Sequence, residues 1–162
     1  MVSRGIGLFA VALGVTFGLM GTGGNRGAPG ANDPTAQQVA GGPYRETRVR
    51  RAVDGHFYVH AMVNGQLIRF MVDTGATGVA LTVRDARHIG IPVDRRAFQV
   101  IGTGASGPVR GQFVELDSVE VEGKVATNVG GAVAEGLEVS LLGQSYLSRL
   151  DVRMGGDEMI LR

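Results

Sequence analysis

From Phe57 to Val63 apolar and polar positions alternate, setting Phe57, Val59, Ala61 and Val63 on one side of an extended chain. Asn64-Gly65 follows, a pair suited to the φ > 0 positions of a two-residue hairpin turn, and QLIRFMV (Gln66–Val72) is the return strand. That strand runs straight into Asp73. GVAL, from Gly78 to Leu81, predicts another short strand. Thr82-Val83-Arg84-Asp85 then has the spacing of a capping box, with Asp in place of Glu, and Gly90 stops the chain before Ile91-Pro92. A short helix is predicted over Val83–His88. FQVI and QFVEL frame a glycine-rich loop as a second hairpin, and VEVEGKVATNV is a third. GAVAE leads to LEVSLLG, a brief helix is predicted over QSYLSRL, and DVRM, Gly155-Gly156 and EMILR close the chain as a last hairpin. Short strands joined by turns dominate, so the class is mainly β with one or two short helices.

The first residues follow another pattern. After Arg4 the chain carries no charge from Gly5 to Gly24, and its apolar heart, Ile6 to Met20, is short for a membrane span and long for a signal-peptide core. No A-x-A-like cleavage site follows, so an N-terminal hydrophobic helix acting as signal anchor or transmembrane segment is expected over 1–21. Residues 22–43, rich in Gly, Ala, Pro, Asn and Gln, read as a flexible linker before a folded domain at 44–162. Arg4 and the terminal amine would stay cytoplasmic, which sends the folded domain across the membrane.

Composition narrows the chemistry. The 27 glycines and the absence of tryptophan suit a small β-rich domain with many tight turns. A net charge of +1 gives no reason to expect nucleic acid as a partner, and without cysteine there is no disulfide, thiolate metal site or cysteine nucleophile. His56 and His60, read as one strand, lie roughly 13 Å apart and cannot converge on one ion. His88 stands alone near a helix end, and RETRVRR, Arg45 to Arg51, reads as a solvated face or strand edge. No metal and no cofactor is expected.

Three stretches could carry function. Gly102-x-Gly104-x-x-Gly107 has the letters of a dinucleotide-binding fingerprint, but Pro108 and a β-type run follow it where a phosphate loop must open a helix. In FMVDTGATGVAL, Asp73 stands where an apolar strand enters a turn, so its carboxylate needs hydrogen-bond partners. Thr74 offers a hydroxyl, and Gly75 a backbone N–H on a pliant backbone. In EVSLLGQSYL two leucines end on Gly143; a serine-hydrolase elbow fails there, because Leu147 stands where the second glycine is needed.

In this order the pieces resemble the retropepsin-like aspartic proteases, and more closely the bacterial, membrane-anchored members of that clan. The matching residues are Asp73 with Thr74-Gly75-Ala76-Thr77, Asp85-Ala86-Arg87, Gly90 and Leu141 to Leu150. The resemblance spans Phe57 to Arg162. It implies a closed β-barrel of the acid protease fold, an aspartic endopeptidase, and a single-pass protein of the bacterial inner membrane with its catalytic domain on the periplasmic side. It implies Asp73, Thr74 and Gly75 as catalytic residues. Ala76, Thr77, Ile101, Gly102, Thr103, Gly104, Leu142 and Gly143 would contact a peptide or protein substrate, and the glycine-rich hairpin would be a flap that bends over it. Viral relatives carry Arg at the position of Gln144, so their ionic brace is absent here. Asp54, Asp85, Asp94, Asp117, Asp151 and Asp157 lack the Asp-Thr-Gly setting, so one chain cannot supply two paired carboxylates, whereas a two-fold homodimer can. The terminal strands, especially Met159 to Leu161, are expected to help join the subunits. The competing reading is a non-catalytic, membrane-tethered β-barrel that binds peptides or an envelope partner, against which the intact Asp73-Thr74-Gly75 argues.

Overall fold

The computed structural model describes residues 45–104 and 107–162; the hydrophobic N-terminal stretch and the whole of the linker lie outside them. Ten strands and two short helices follow in chain order: β1 Thr47–Arg50, β2 Tyr58–Val63, β3 Gln66–Val72, β4 Val79–Thr82, α1 Val83–His88, β5 Gln99–Gly104, β6 Gly107–Val121, β7 Lys124–Ala134, β8 Ser140–Leu142, α2 Gln144–Leu147, β9 Val152–Gly155 and β10 Glu158–Leu161. Six of them close into a barrel in the order β2-β3-β8-β4-β7-β6, sealed by the pairs Met62↔Glu120 and Val63↔Val119, and β5 hangs on the outer edge of β6. A separate three-stranded sheet has the order β1-β10-β9.

The predicted alternation sets the barrel's inner face: Phe57, Val59, Ala61 and Val63 are all buried, and Asn64 (φ 48) with Gly65 (φ 80) makes the tight turn. Phe70, Leu81, Leu116, Leu142 and Tyr146 are wholly buried. Each such side chain contributes about 1.5–3 kcal/mol of hydrophobic stabilisation. β4 is buried at all four positions because its neighbours and both helices cover it, so it reads as a run and not an alternation.

α1 follows its predicted bounds. Thr82 Oγ1 accepts from the Asp85 N–H at 3.0 Å, and Gly90 (φ 81) ends the helix in a Schellman motif, with Ile91 N–H bonded to Ala86 O and Gly90 N–H to Arg87 O. The box closes through a third residue. Ser140 Oγ accepts the Thr82 N–H at 3.1 Å and donates to Asp85 Oδ2 at 2.6 Å, which joins α1 to β8. α2 is shorter than the predicted stretch, and the arginine-rich segment holds edge strand β1.

β10 is the central strand of the terminal sheet. Met159 and Leu161 are buried in this chain's own core, and β10 has β1 on one side and β9 on the other. Its backbone hydrogen-bonding groups are already paired, so the free strand edges of this sheet belong to β1 and β9.

Candidate active site

β3 pairs in parallel with β8, Val72 opposite Leu142, so both strands deliver their next residues, Asp73 and Gly143, to one end of the barrel. The turn from Asp73 to Gly78 connects β3 to β4 there. Residues 142–145 form its bed. Asp73 N–H donates to Leu142 O at 3.1 Å, Gln144 N–H to Ala76 O at 2.8 Å, and Ser145 N–H to Thr77 O at 3.0 Å. Two side chains add to this: Ser145 Oγ accepts the Val79 N–H at 3.0 Å, and Gln144 Nε2 donates to Thr74 O at 2.8 Å. Gly143 makes the contact possible, because a Cβ there would stand 2.2 Å from Gly78 O and 2.7 Å from Ala76 O. The apolar-apolar-glycine run is therefore the surface on which the aspartate turn is moulded.

The Asp73 carboxylate has the partner its position requires: Gly75 N–H donates to Oδ1 at 2.9 Å. Asp73 is half-buried, Thr74 and Gly75 are exposed, and Ala76 is buried beneath them. A carboxylate held by a backbone N–H at the open end of a barrel can act on a water or a carbonyl brought to it.

The predicted substrate-contacting residues fall into three settings. Thr77 is exposed beside the turn. Leu142 and Gly143 are buried under the turn and shape it from below. Ile101 to Gly104 lie on the β5 arm of a hairpin, where Thr103 is exposed, Gly102 and Gly104 are half-exposed, and Ile101 is buried against Ala132 and Ala134. Ile101 roots the hairpin, aided by a register shift between Val100 and Gly102. Gly111 completes that root: a Cβ there would stand 2.1 Å from Val133 O and 2.7 Å from Ile101 Cδ1. Sequence reasoning passed over Gly111, and it weighed Ser145 only as a serine-hydrolase nucleophile. A lone glycine inside a strand pattern is a sign of close approach, whereas the sequence does not show that the Ser145 hydroxyl meets the Val79 N–H.

The bed itself is anchored from behind. Tyr146 of α2 is wholly buried and donates its hydroxyl to Lys124 O at 2.7 Å; burial pushes the phenol up to about 12. Lys124 is buried as well, which lowers its ammonium's pKa through desolvation, and its Nζ donates to Thr47 Oγ1 at 2.6 Å. Thr47 in turn donates to Glu122 Oε2 at 2.7 Å, so a polar chain ties β1 to the β6–β7 hairpin. A cavity of about 360 Å³ beside Arg69, Asp85 and His88, and another of about 560 Å³ between β1 and β2, both lie away from the Asp73 turn. Among the described residues no grouping of His, Asp and Glu could hold a metal ion.

The family model described as gag-polyprotein putative aspartyl protease matches residues 59–149. An uncharacterized protein of Rickettsia prowazekii (strain Madrid E) is 39% identical over 118 residues, 72% of this chain and 51% of that protein. The chain spans about half the length of the curated relatives it matches. The crystal structure of a retropepsin-like aspartic protease from Rickettsia conorii is similar at 39% identity, with a TM-score of 0.61 over 72% of this chain and 89% of that one. The EIAV protease shares the fold at 18% identity, with a TM-score of 0.50 over 60% of this chain and 89% of that one.

Proposed function

The chain belongs to the retropepsin-like aspartyl proteases, and from that premise we propose that it is an endopeptidase whose active site forms when two copies pair about a two-fold axis. The observation that carries this reading is the single Asp73 turn, seated on residues 142–145 with Gly75 N–H on its carboxylate. Each chain holds half of a dyad. Asp73 and the partner subunit's Asp73 would share one proton, because two like charges that close cannot both ionise. The ionised carboxylate takes a proton from the water held between them. The protonated one donates to the carbonyl oxygen as the water oxygen bonds to the carbonyl carbon. The resulting tetrahedral intermediate loses the amine once its nitrogen is protonated. Thr74, exposed at the turn, would brace the pair, and the β5–β6 hairpin would close over an extended peptide.

The experiment is cleavage of a peptide library by wild type and Asp73→Asn, followed by mixing. Asn keeps shape and hydrogen-bonding capacity and removes the acid, so hydrolysis falls by several orders of magnitude while the fold persists. A mixed dimer holds one carboxylate. Two wild-type chains to one mutant, randomly paired, leave roughly four-ninths of dimers intact under two-fold symmetry. Loss merely proportional to the wild-type fraction, with subunit exchange shown independently, overturns the shared dyad.

The uncharged stretch from Gly5 to Gly24 supports a location for this activity. The domain would be tethered to the bacterial inner membrane and work on the periplasmic side, which a topology reporter after Arg162 tests.

A further inference from the structure

The two hydrogen bonds that meet at the Thr74–Gly75 junction share one peptide group. Its oxygen, Thr74 O, accepts from Gln144 Nε2 at 2.8 Å, and its N–H, on Gly75, donates to Asp73 Oδ1 at 2.9 Å. The peptide group is planar and stiff, so holding its oxygen sets the direction of its N–H. A hydrogen bond accepted at the carbonyl also polarises the group and strengthens the bond its N–H donates. Gln144 has little freedom to drift. Its own N–H is bonded to Ala76 O, and the preceding Gly143 lies against the backbone of Gly78.

We propose that Gln144 is a positioning residue for Asp73, acting through the Thr74–Gly75 peptide and not by touching substrate. The proposal rests on the reading of the site as an aspartic protease. A neutral donor does this without adding a formal charge beside two carboxylates that must hold one proton between them. A cation in the same place would also hold the carbonyl, but it would favour the doubly ionised dyad and shift the working range to lower pH. Glu at this position turns a donor into an acceptor, setting a carboxylate oxygen against the Thr74 oxygen. Gln144 is only half-buried at the first residue of α2, so its side chain can be exchanged without opening the core.

The test compares wild type with Gln144→Met, Gln144→Glu and Gln144→Arg in the full chain, using the Gly75 amide proton shift and the pH profile of peptide cleavage. Met has similar length and no donor, so the Gly75 proton moves upfield, the acid limb of the profile moves to higher pH, and kcat falls about three- to tenfold with KM nearly constant. Glu gives a larger loss, and Arg restores the Gly75 shift while moving both limbs to lower pH. A Gly75 proton unchanged in Met and Glu overturns the proposal. So does a loss of activity in Met that leaves the Gly75 proton and both limbs in place, since that is a structural effect alone. If wild type cleaves nothing, the protease reading fails, while the Gly75 shift still decides whether Gln144 sets the peptide.

Discussion

Gly143→Ala isolates the close contact on which the site is built. Gly143 has φ −104 and ψ −168, a conformation any residue adopts, so alanine brings no backbone penalty of its own. The cost is collision. The added Cβ would stand 2.2 Å from Gly78 O, 2.7 Å from Ala76 O and 2.8 Å from Gly78 C. Favourable heavy-atom contacts lie near 3.5 Å, so the turn must retreat by about 1 Å. Such a retreat breaks or lengthens the bonds from Gln144 N–H to Ala76 O and from Ser145 N–H to Thr77 O. At about 1 kcal/mol for each bond, plus about 1–3 kcal/mol for overpacking, the variant loses about 3–5 kcal/mol. The same displacement at a reacting group costs on the order of 100-fold in rate. Urea unfolding and peptide cleavage measure the two effects. Gly130→Ala is the matched control, because a Cβ there meets nothing within 4 Å; its stability stays within about 0.5 kcal/mol of wild type. A Gly143→Ala protein that unfolds with wild type and cleaves at the wild-type rate would refute the moulded-bed account.

Two further outcomes test the anchoring of α2 and the location of the chain. Because burial raises the Tyr146 phenol to about 12 against about 10 when unfolded, its contribution is intact below about pH 10 and lost as pH rises through 12, a fall of about 2–3 kcal/mol; Tyr146→Phe flattens that decline in urea unfolding, and equal slopes in both proteins would disprove it. The full chain fractionates with membranes and a reporter after Arg162 is active only outside the cytoplasm; a cytoplasmic signal reverses the orientation, and a soluble chain beginning near Gly23 means the segment is cleaved.

The strands and turns were legible because their causes are local. Phe57, Val59, Ala61 and Val63 announce one buried face, Asn64-Gly65 the turn, and Thr82 with Gly90 the ends of α1. Asp73 and the LLG run stood out for a similar reason: each breaks an apolar strand with a residue such a strand does not ordinarily carry. Their partnership was not legible locally. It depends on β3 and β8 pairing in parallel, Val72 opposite Leu142, and on the Ser145 hydroxyl reaching Val79 across 66 residues of chain.

The sequence by itself therefore determined the mainly β class, the hairpin order and the single Asp-Thr-Gly motif, since periodicity, turn chemistry and motif are written in neighbouring residues. Only the tertiary structure decided that Gly143 and Gly111 are glycines for want of room, that Ser140 closes the Thr82–Asp85 box, and that β10 is enclosed between β1 and β9. It also decided that Gln144 reaches the Thr74 carbonyl. Each of these is a contact between segments far apart in the chain. Its geometry exists only after the barrel has closed, when backbone groups with no room for a Cβ or with a lone pair to satisfy are brought face to face.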